Sequence, residues 1–380
     1  MIKRGLMTQF PCARGRAFVC KNIGDYVQAV ATRQYVNPIN EYVEQEEANF
    51  YFPEDKQKIK LIMNGWFQWR AENWPPSEYI EPLLISMHIS PVRADALLTE
   101  EGIKFLKKHS PVGCRDFYTK NLLESKGIPA YFSACQTLTL GHTYKVDDSE
   151  RSGVCIVDPY FEIPDLYEEK DGIMTINNDL ASEVFEYYLK HKDVIDKLSE
   201  NEFFKVYSPI GFLDRDESKY RAIYKATMFY KTYSQKFDDE LLIDAEYITH
   251  WVDVDMSGNV TNDDLLDLAD SLVKKYAKSE LVITSRIHAG LPCLGLDTPV
   301  VFIANEEVVS ATGTFNTPGR LDGLIEFFRV LNLEDGVFST TDEEFKNIDV
   351  FSKNTKFVNK QEWRPYADEL YKKSTEFMMG

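Results

Sequence analysis

The chain has 380 residues, is 44% hydrophobic and 13% aromatic, and carries a formal net charge of -18. That length exceeds one compact core and suits two domains, and the acidic balance argues against nucleic acid as a partner. No apolar run approaches the roughly 18 residues of a membrane span, and the opening MIKRGLMTQFPCARGRAF lacks the apolar block of a secretion signal; the expectation is a soluble, unprocessed, cytoplasmic protein.

Five positive charges, Lys3, Arg4, Arg14, Arg16 and Lys21, precede the first acidic residue, Asp25. They read either as a solvated terminal segment or as a patch for an anionic lipid surface or a phosphorylated substrate. Cys12, Cys20, Cys114, Cys135, Cys155 and Cys293 form no C-x-x-C pair, which favours reduced thiols over zinc or disulfides. No His/Asp/Glu cluster has ligand spacing, so neither a metal nor a cofactor is expected.

IKLIMNG (59–65) and EPLLISMHIS (81–90) read as strands, LTEEGIKFLKKH (98–109) and CRDFYTKNLLESKG (114–127) as helices, the second ended by Gly127, and PAYFSACQTL as strand-like. Strands alternating with helices predict βαβ units and a mostly parallel sheet. The polar break KVDDSERSG (145–153) precedes the buried-strand run VCIVDPYF (154–161). The expected fold is therefore α/β, two Rossmann-like domains facing a central cleft. Residues 1–150 are expected to form the first domain, 151–355 the second, and 356–380 a C-terminal helix that lies outside or crosses back.

Within the second domain, about 165–248 is rich in aromatics and helical in pattern, and its rings read as core packing. DVDMSGNVTNDD (253–264) nearly fits a calcium loop through Asp253, Asp255, Ser257, Gly258, Asn259 and Val260. Position twelve is Asp264, too short for bidentate binding, and a strand, a turn and a helix cap explain the same letters. NDDLLDLADSLVKKYAKS (262–279) is the clearest helix, with Leu265, Leu268, Ala269, Leu272, Val273 and Tyr276 on one face.

It leads into LVITSRIHAGLPCLGLDTPVVFI (281–303), a strand, a short crossover helix and a parallel strand. Ser285 is placed to cap the helix, leaving Arg286, Ile287 and His288 at its N-terminal end. That end favours anions. Arg286 would add a fixed charge and His288 a proton that titrates near neutrality.

The run AKSELVITSRIHAGLPCLGLDTPVVFI resembles the polysaccharide pyruvyl transferase family, whose members carry a strand followed by S/D-R-L/I-H-G/A. NIGDYVQAVA (22–31), MNGWF (63–67) and GCRDFYTKNLLESKGIPAYFSACQTLTL (113–140) support the resemblance in order and spacing. It implies a GT-B-like fold and transfer of pyruvate from phosphoenolpyruvate to two hydroxyls of one sugar. The product is a cyclic ketal in capsular or other surface polysaccharide assembly. It implies His288 as general acid, with Arg286 and Ile287 helping to hold the donor. Ser285 is a further donor-side candidate, and Asp25 reads either as base or acceptor orienter or as a helix cap after Gly24. Asn22, Asn64 and Trp66 are the acceptor-binding candidates. Members also use an arginine near the start of the second domain, where this chain has the aspartate of VCIVDPYF. Arg115, Arg215 or Arg320 would substitute, although Arg115 and Asp116 also read as an internal ion pair. The implied partners are phosphoenolpyruvate and a sugar such as galactose, or a lipid-linked oligosaccharide at the inner membrane surface. The alternatives are a GT-B glycosyltransferase using a nucleotide sugar, or a calcium-sensing scaffold.

Overall fold

The computed structural model describes residues 3–10, 18–67, 70–170, 173–208, 213–216, 218–258, 260–305 and 319–380. Cys12, Arg14, Arg16 and Asn259 lie outside them. The first strands are β1 (Lys3–Thr8), β2 (Phe18–Asn22), β3 (Glu41–Glu44), β4 (Ile59–Phe67), β5 (Ile80–Ile89), β6 (Val112–Cys114) and β7 (Ala130–Phe132). All but β2 form one parallel sheet in the order β3-β1-β4-β5-β6-β7. The apolar runs behave as a sheet covered on both faces requires: along β4 every side chain is buried except Trp66, which is half-buried.

The remaining strands are β8 (Val154–Val157), β9 (Tyr167–Lys170), β10 (Ile173–Ile176), β11 (Glu246–Ile248), β12 (Trp251–Asp255), β13 (Leu281–Thr284), β14 (Val300–Ala304), β15 (Val330–Glu334) and β16 (Val337–Ser339). The second sheet runs β11-β8-β13-β14-β15-β16, parallel except for β16. The chain is thus mixed α/β, with two six-stranded sheets flanked by helices as expected. Chain order reverses beside β1 in the first sheet and beside β8 in the second, and such points open a crevice at the strands' carboxyl ends. Antiparallel pairing of β2 with β12 ties the two halves together there.

One core joins both halves. Helix Gly24–Arg33 buries Tyr26, Val27 and Val30 in the same cluster as Leu265, Ala269 and Val273 of helix Asn262–Lys278. Leu268 is an exception to the expected face: it is 41% exposed, and Leu266 is buried instead. At 100° per residue, Leu268 falls roughly 130° from the centre of the buried stripe. A reciprocal cap starts this helix: Asp264 Oδ2 accepts from Thr261 N at 2.8 Å, and Thr261 Oγ1 accepts from Asp264 N at 3.3 Å. With β12 before it, the calcium-like letters are a strand and a cap.

Residues 165–248 are mainly helical, with the hairpin β9–β10 and strand β11 as additions the helical pattern did not show. Many of their rings are core: Phe203, Phe204, Phe229 and Tyr233 pack with Phe161 over Ile156 and Ile283 of the second sheet, whereas Tyr167, Phe185 and Tyr220 are exposed. Two shorter differences lie in the first half. Cys114 ends strand β6, so the following helix is Phe117–Ser125, closed by Gly127 at φ +68. The strand-like PAYFSACQTL contributes only β7 before a 3-10 turn at Gln136–Thr139. The C-terminal helix Arg364–Met379 crosses back to the first sheet, where Met378 O accepts from Arg4 Nε at 3.0 Å and Phe377 O from Lys60 Nζ at 2.8 Å.

Candidate active site

The β2–β12 ribbon delivers the start of helix Gly24–Arg33 to the second half of the chain. Ile23 N donates to His250 O at 2.8 Å, and Asn22 Oδ1 accepts from Gly24 N at 3.0 Å. Asn22 thus shapes this turn. A Cβ on Gly24 would lie 2.8 Å from His250 Nδ1 and 3.1 Å from His288 Cβ, so only glycine allows this approach. Asp25 sits in the first turn and does not cap it. Its Oδ2 accepts from Lys21 Nζ at 2.9 Å, and its Oδ1 lies 4.0 Å from His288 Nδ1.

Beside β8, Asp158 adopts φ +38, a backbone state that costs a non-glycine residue and recurs at functional sites. Its Oδ2 accepts from His250 N at 3.0 Å and from Arg286 Nε at 3.1 Å. The aspartate that replaces the expected arginine therefore anchors another arginine. The crossover helix is Ile287–Gly295, with Arg286 at its N-cap. Ser285 does not cap it, because its Oγ accepts from Tyr160 N at 2.9 Å. Ile287 is buried in the shared core, so only its backbone is available to a ligand at the helix start. His288 is buried, and its Nε2 has no hydrogen-bond partner among the described residues. Burial first, then Arg320, Arg115, His250 and Arg286, hold its pKa well below the usual histidine value.

The first sheet supplies a second group. Met87 on β5 pairs with Cys114 on β6, so His88, the next residue of β5, and Arg115, the first residue after β6, follow this pair on adjacent strands. Arg115 and Asp116 do not form the expected ion pair. Asp116 Oδ2 lies 2.5 Å from His88 Nδ1, and its Oδ1 caps helix Phe117–Ser125 through Thr119 N at 2.8 Å. Arg115 is completely buried, and none of its three guanidinium nitrogens has a hydrogen-bond partner among the described residues. Arg320 reaches this place from the second half, on a segment where Asp322 O accepts from Phe117 N. Its pKa falls to about 10 through loss of water and the charges of Arg115 and Arg286. Arg215 is not part of the group, being engaged by Asp253 through both guanidinium NH groups at 2.5 and 2.7 Å.

Next to this buried group lies an open cleft of about 820 Å³ at the carboxyl ends of β1, β3 and β4, reached through Lys21 and Asp25. Trp66, Tyr42, Glu44, Arg70 and Arg93 line it. Asn64 is buried beneath it, its Nδ2 3.4 Å from Gln28 O, and does not line it. Burial raises Glu44 to about 7 against the pull of the Phe10 and Glu46 amides.

The family model for polysaccharide pyruvyl transferases matches residues 22–307, which include Asn22, Asp25, Asn64, Trp66, Arg115, Arg215 and the whole Ser285–His288 segment. The chain belongs to the polysaccharide pyruvyl transferase family. Neither a curated protein nor a solved structure matches it. Among the described residues, no helix is long and apolar enough to cross a membrane.

For a pyruvyl transferase, the arrangement combines guanidinium groups that suit an anionic donor with a histidine able to move a proton. Of the basic N-terminal residues that are described, Lys3 pairs with Glu41 at 3.2 Å and Asp55 at 2.7 Å, Arg4 donates to the C-terminal helix, and Lys21 pairs with Asp25. Sequence reasoning missed His88 and His250. His88 lies one residue before the end of β5, a polar residue in the buried run SMHIS. His250, whose Nε2 lies 2.6 Å from Tyr276 Oη, carried no such signal.

Proposed function

We propose that this transferase moves pyruvate from phosphoenolpyruvate onto two hydroxyls of one sugar, forming a cyclic ketal in surface polysaccharide assembly. The observation that carries the donor assignment is Arg115: a buried guanidinium without a partner among the described residues, beside the further positive charges of Arg320 and Arg286. An unpaired buried charge is costly, and a ligand bearing a phosphate and a carboxylate offsets it. Arg115 and Arg320 take the place of the arginine sought in VCIVDPYF, and Arg286 and the start of helix Ile287–Gly295 complete the grip.

His288 gives its proton to the methylene carbon of the donor, a hydroxyl adds to the neighbouring carbon, and phosphate departs. Asp25, standing between His288 and the open cleft, orients the acceptor, with Trp66 as a stacking face. The test is incubation with phosphoenolpyruvate and galactose or N-acetylhexosamine acceptors, free and polyprenyl-linked. Released phosphate and the mass of the glycan are followed together. Phosphate release with a pyruvyl mass gain is expected. Binding of nucleotide sugars but not phosphoenolpyruvate, read by thermal shift, would overturn the donor assignment.

A further inference from the structure

Ketal formation has two protons to place, and His288 handles one. Each of two acceptor hydroxyls gives up a proton. The donor's methylene becomes a methyl by taking one, and the phosphate leaves as hydrogen phosphate by taking the other. We propose that His88, oriented by Asp116, is the second proton carrier of the site: its Nε2 accepts a hydroxyl proton and passes it to the departing phosphate held by Arg115.

This inference rests on the donor reading above, and three observations of the first half carry it. His88 Nδ1 lies 2.5 Å from Asp116 Oδ2, and both side chains are completely buried. Asp116 is itself locked by Thr119 N at 2.8 Å, so it holds the ring in one orientation. A carboxylate there keeps the proton on Nδ1 and leaves Nε2 with its lone pair, the tautomer a base requires. Nε2 has no partner among the described residues, an expense for a buried acceptor unless a ligand meets it.

The ring also faces the right charges. Arg115 leaves the neighbouring strand beside it, and Arg115 and Arg320 act on the titration of both His88 and His288. Burial, followed by those arginines, lowers His88 to about 4 against the opposing influence of Asp116, so the ring is neutral and able to accept near pH 7. The cycle balances. The O–H bond of the acceptor breaks as its oxygen bonds to the donor carbon. The carbon–oxygen bond to phosphate then breaks with its electron pair on oxygen, and that oxygen takes the proton from His88. The second hydroxyl oxygen bonds to the same carbon and closes the ketal, and its proton restores the one His288 gave to the methylene.

The experiment compares the unaltered protein with His88→Asn, whose amide still donates to Asp116 but lacks a group at Nε2. Phosphoenolpyruvate affinity, kcat and the pH profile of kcat are measured for each. The expected result is donor affinity within about threefold, kcat lower by on the order of 100-fold, and loss of the acidic limb shown by the unaltered protein. Turnover within a few-fold of the unaltered protein, or an acidic limb unchanged in the variant, overturns the proposal and leaves the donor reading standing. Failure of the unaltered protein to bind phosphoenolpyruvate overturns both. If His88→Asn does not fold, the unaltered protein still decides: a kcat without an acidic limb rules out an essential neutral imidazole.

Discussion

Asp25 Oδ1 lies 4.0 Å from His288 Nδ1, and this approach joins the first turns of two helices from opposite halves of the chain. The carboxylate holds Lys21 with its other oxygen and borders the open cleft, while the histidine belongs to the buried cationic group. In the proposed reaction this contact is where the acceptor and donor sides meet.

Donor binding should take up a proton near pH 7. Burial comes first among the causes that hold His288 neutral, and Arg320 and Arg115 follow. A bound anion offsets the arginine charges, so the histidine pKa rises and the ring protonates. Calorimetry of phosphoenolpyruvate binding in buffers of different ionisation enthalpy should show net uptake, and binding heats independent of buffer would refute it.

Arg115→Met should separate stability from function. Replacing a buried, unpartnered charge with an apolar side chain of similar length is expected to stabilise the free protein by about 1–4 kcal/mol. The same change should abolish the thermal shift produced by phosphoenolpyruvate. A variant that melts earlier yet still responds to the donor would contradict both halves of this argument.

Gly24→Ala tests the closeness of the two halves. The added methyl meets His250 Nδ1 at 2.8 Å and His288 Cβ at 3.1 Å, and neither ring lies in open space. Overpacking of this kind costs about 1–3 kcal/mol, and the displaced His288 should lower kcat at least tenfold. Chemical denaturation and turnover measured on the same preparation check this, and an unchanged kcat counts against it.

Stability should fall as pH drops from 6.5 towards 4. His88 and His250 are held at about 4, below the ordinary 6.5, chiefly by burial. The stability of keeping them neutral is present above 6.5 and lost as pH falls through the folded value, at up to about 1.4 kcal/mol per unit for each. Glu44, raised to about 7 from 4.5, has the opposite sign: its contribution is present below 4.5 and lost as pH rises through 7. Two histidines outweigh one glutamate, so melting at pH 4.5 should be earlier than at 6.5. Glu44→Gln should widen that gap, and an unchanged gap would remove Glu44 from the account.

Much of the fold was legible because its signals are local. The apolar runs of β4, β5, β8 and β13 and the periodic helix Asn262–Lys278 carry their own patterns. Leu268 shows the limit of that reading, since a leucine at the edge of the stripe looks the same in sequence whether or not a neighbour covers it. The hairpin β9–β10 was hidden among helical letters because its exposed strands show little burial pattern.

By itself the sequence determined two α/β halves, the family, and the Arg286-Ile287-His288 corner at a strand's carboxyl end. Only the tertiary structure decided which charges remain unpaired. Asp116 turns to His88 and leaves its neighbour Arg115 free of it, Asp253 engages Arg215, and Asp158 anchors Arg286. Pairing depends on distances between residues far apart in the chain, 128 positions for Arg286 and Asp158. Local periodicity holds no record of such distances, and burial sets their energetic weight.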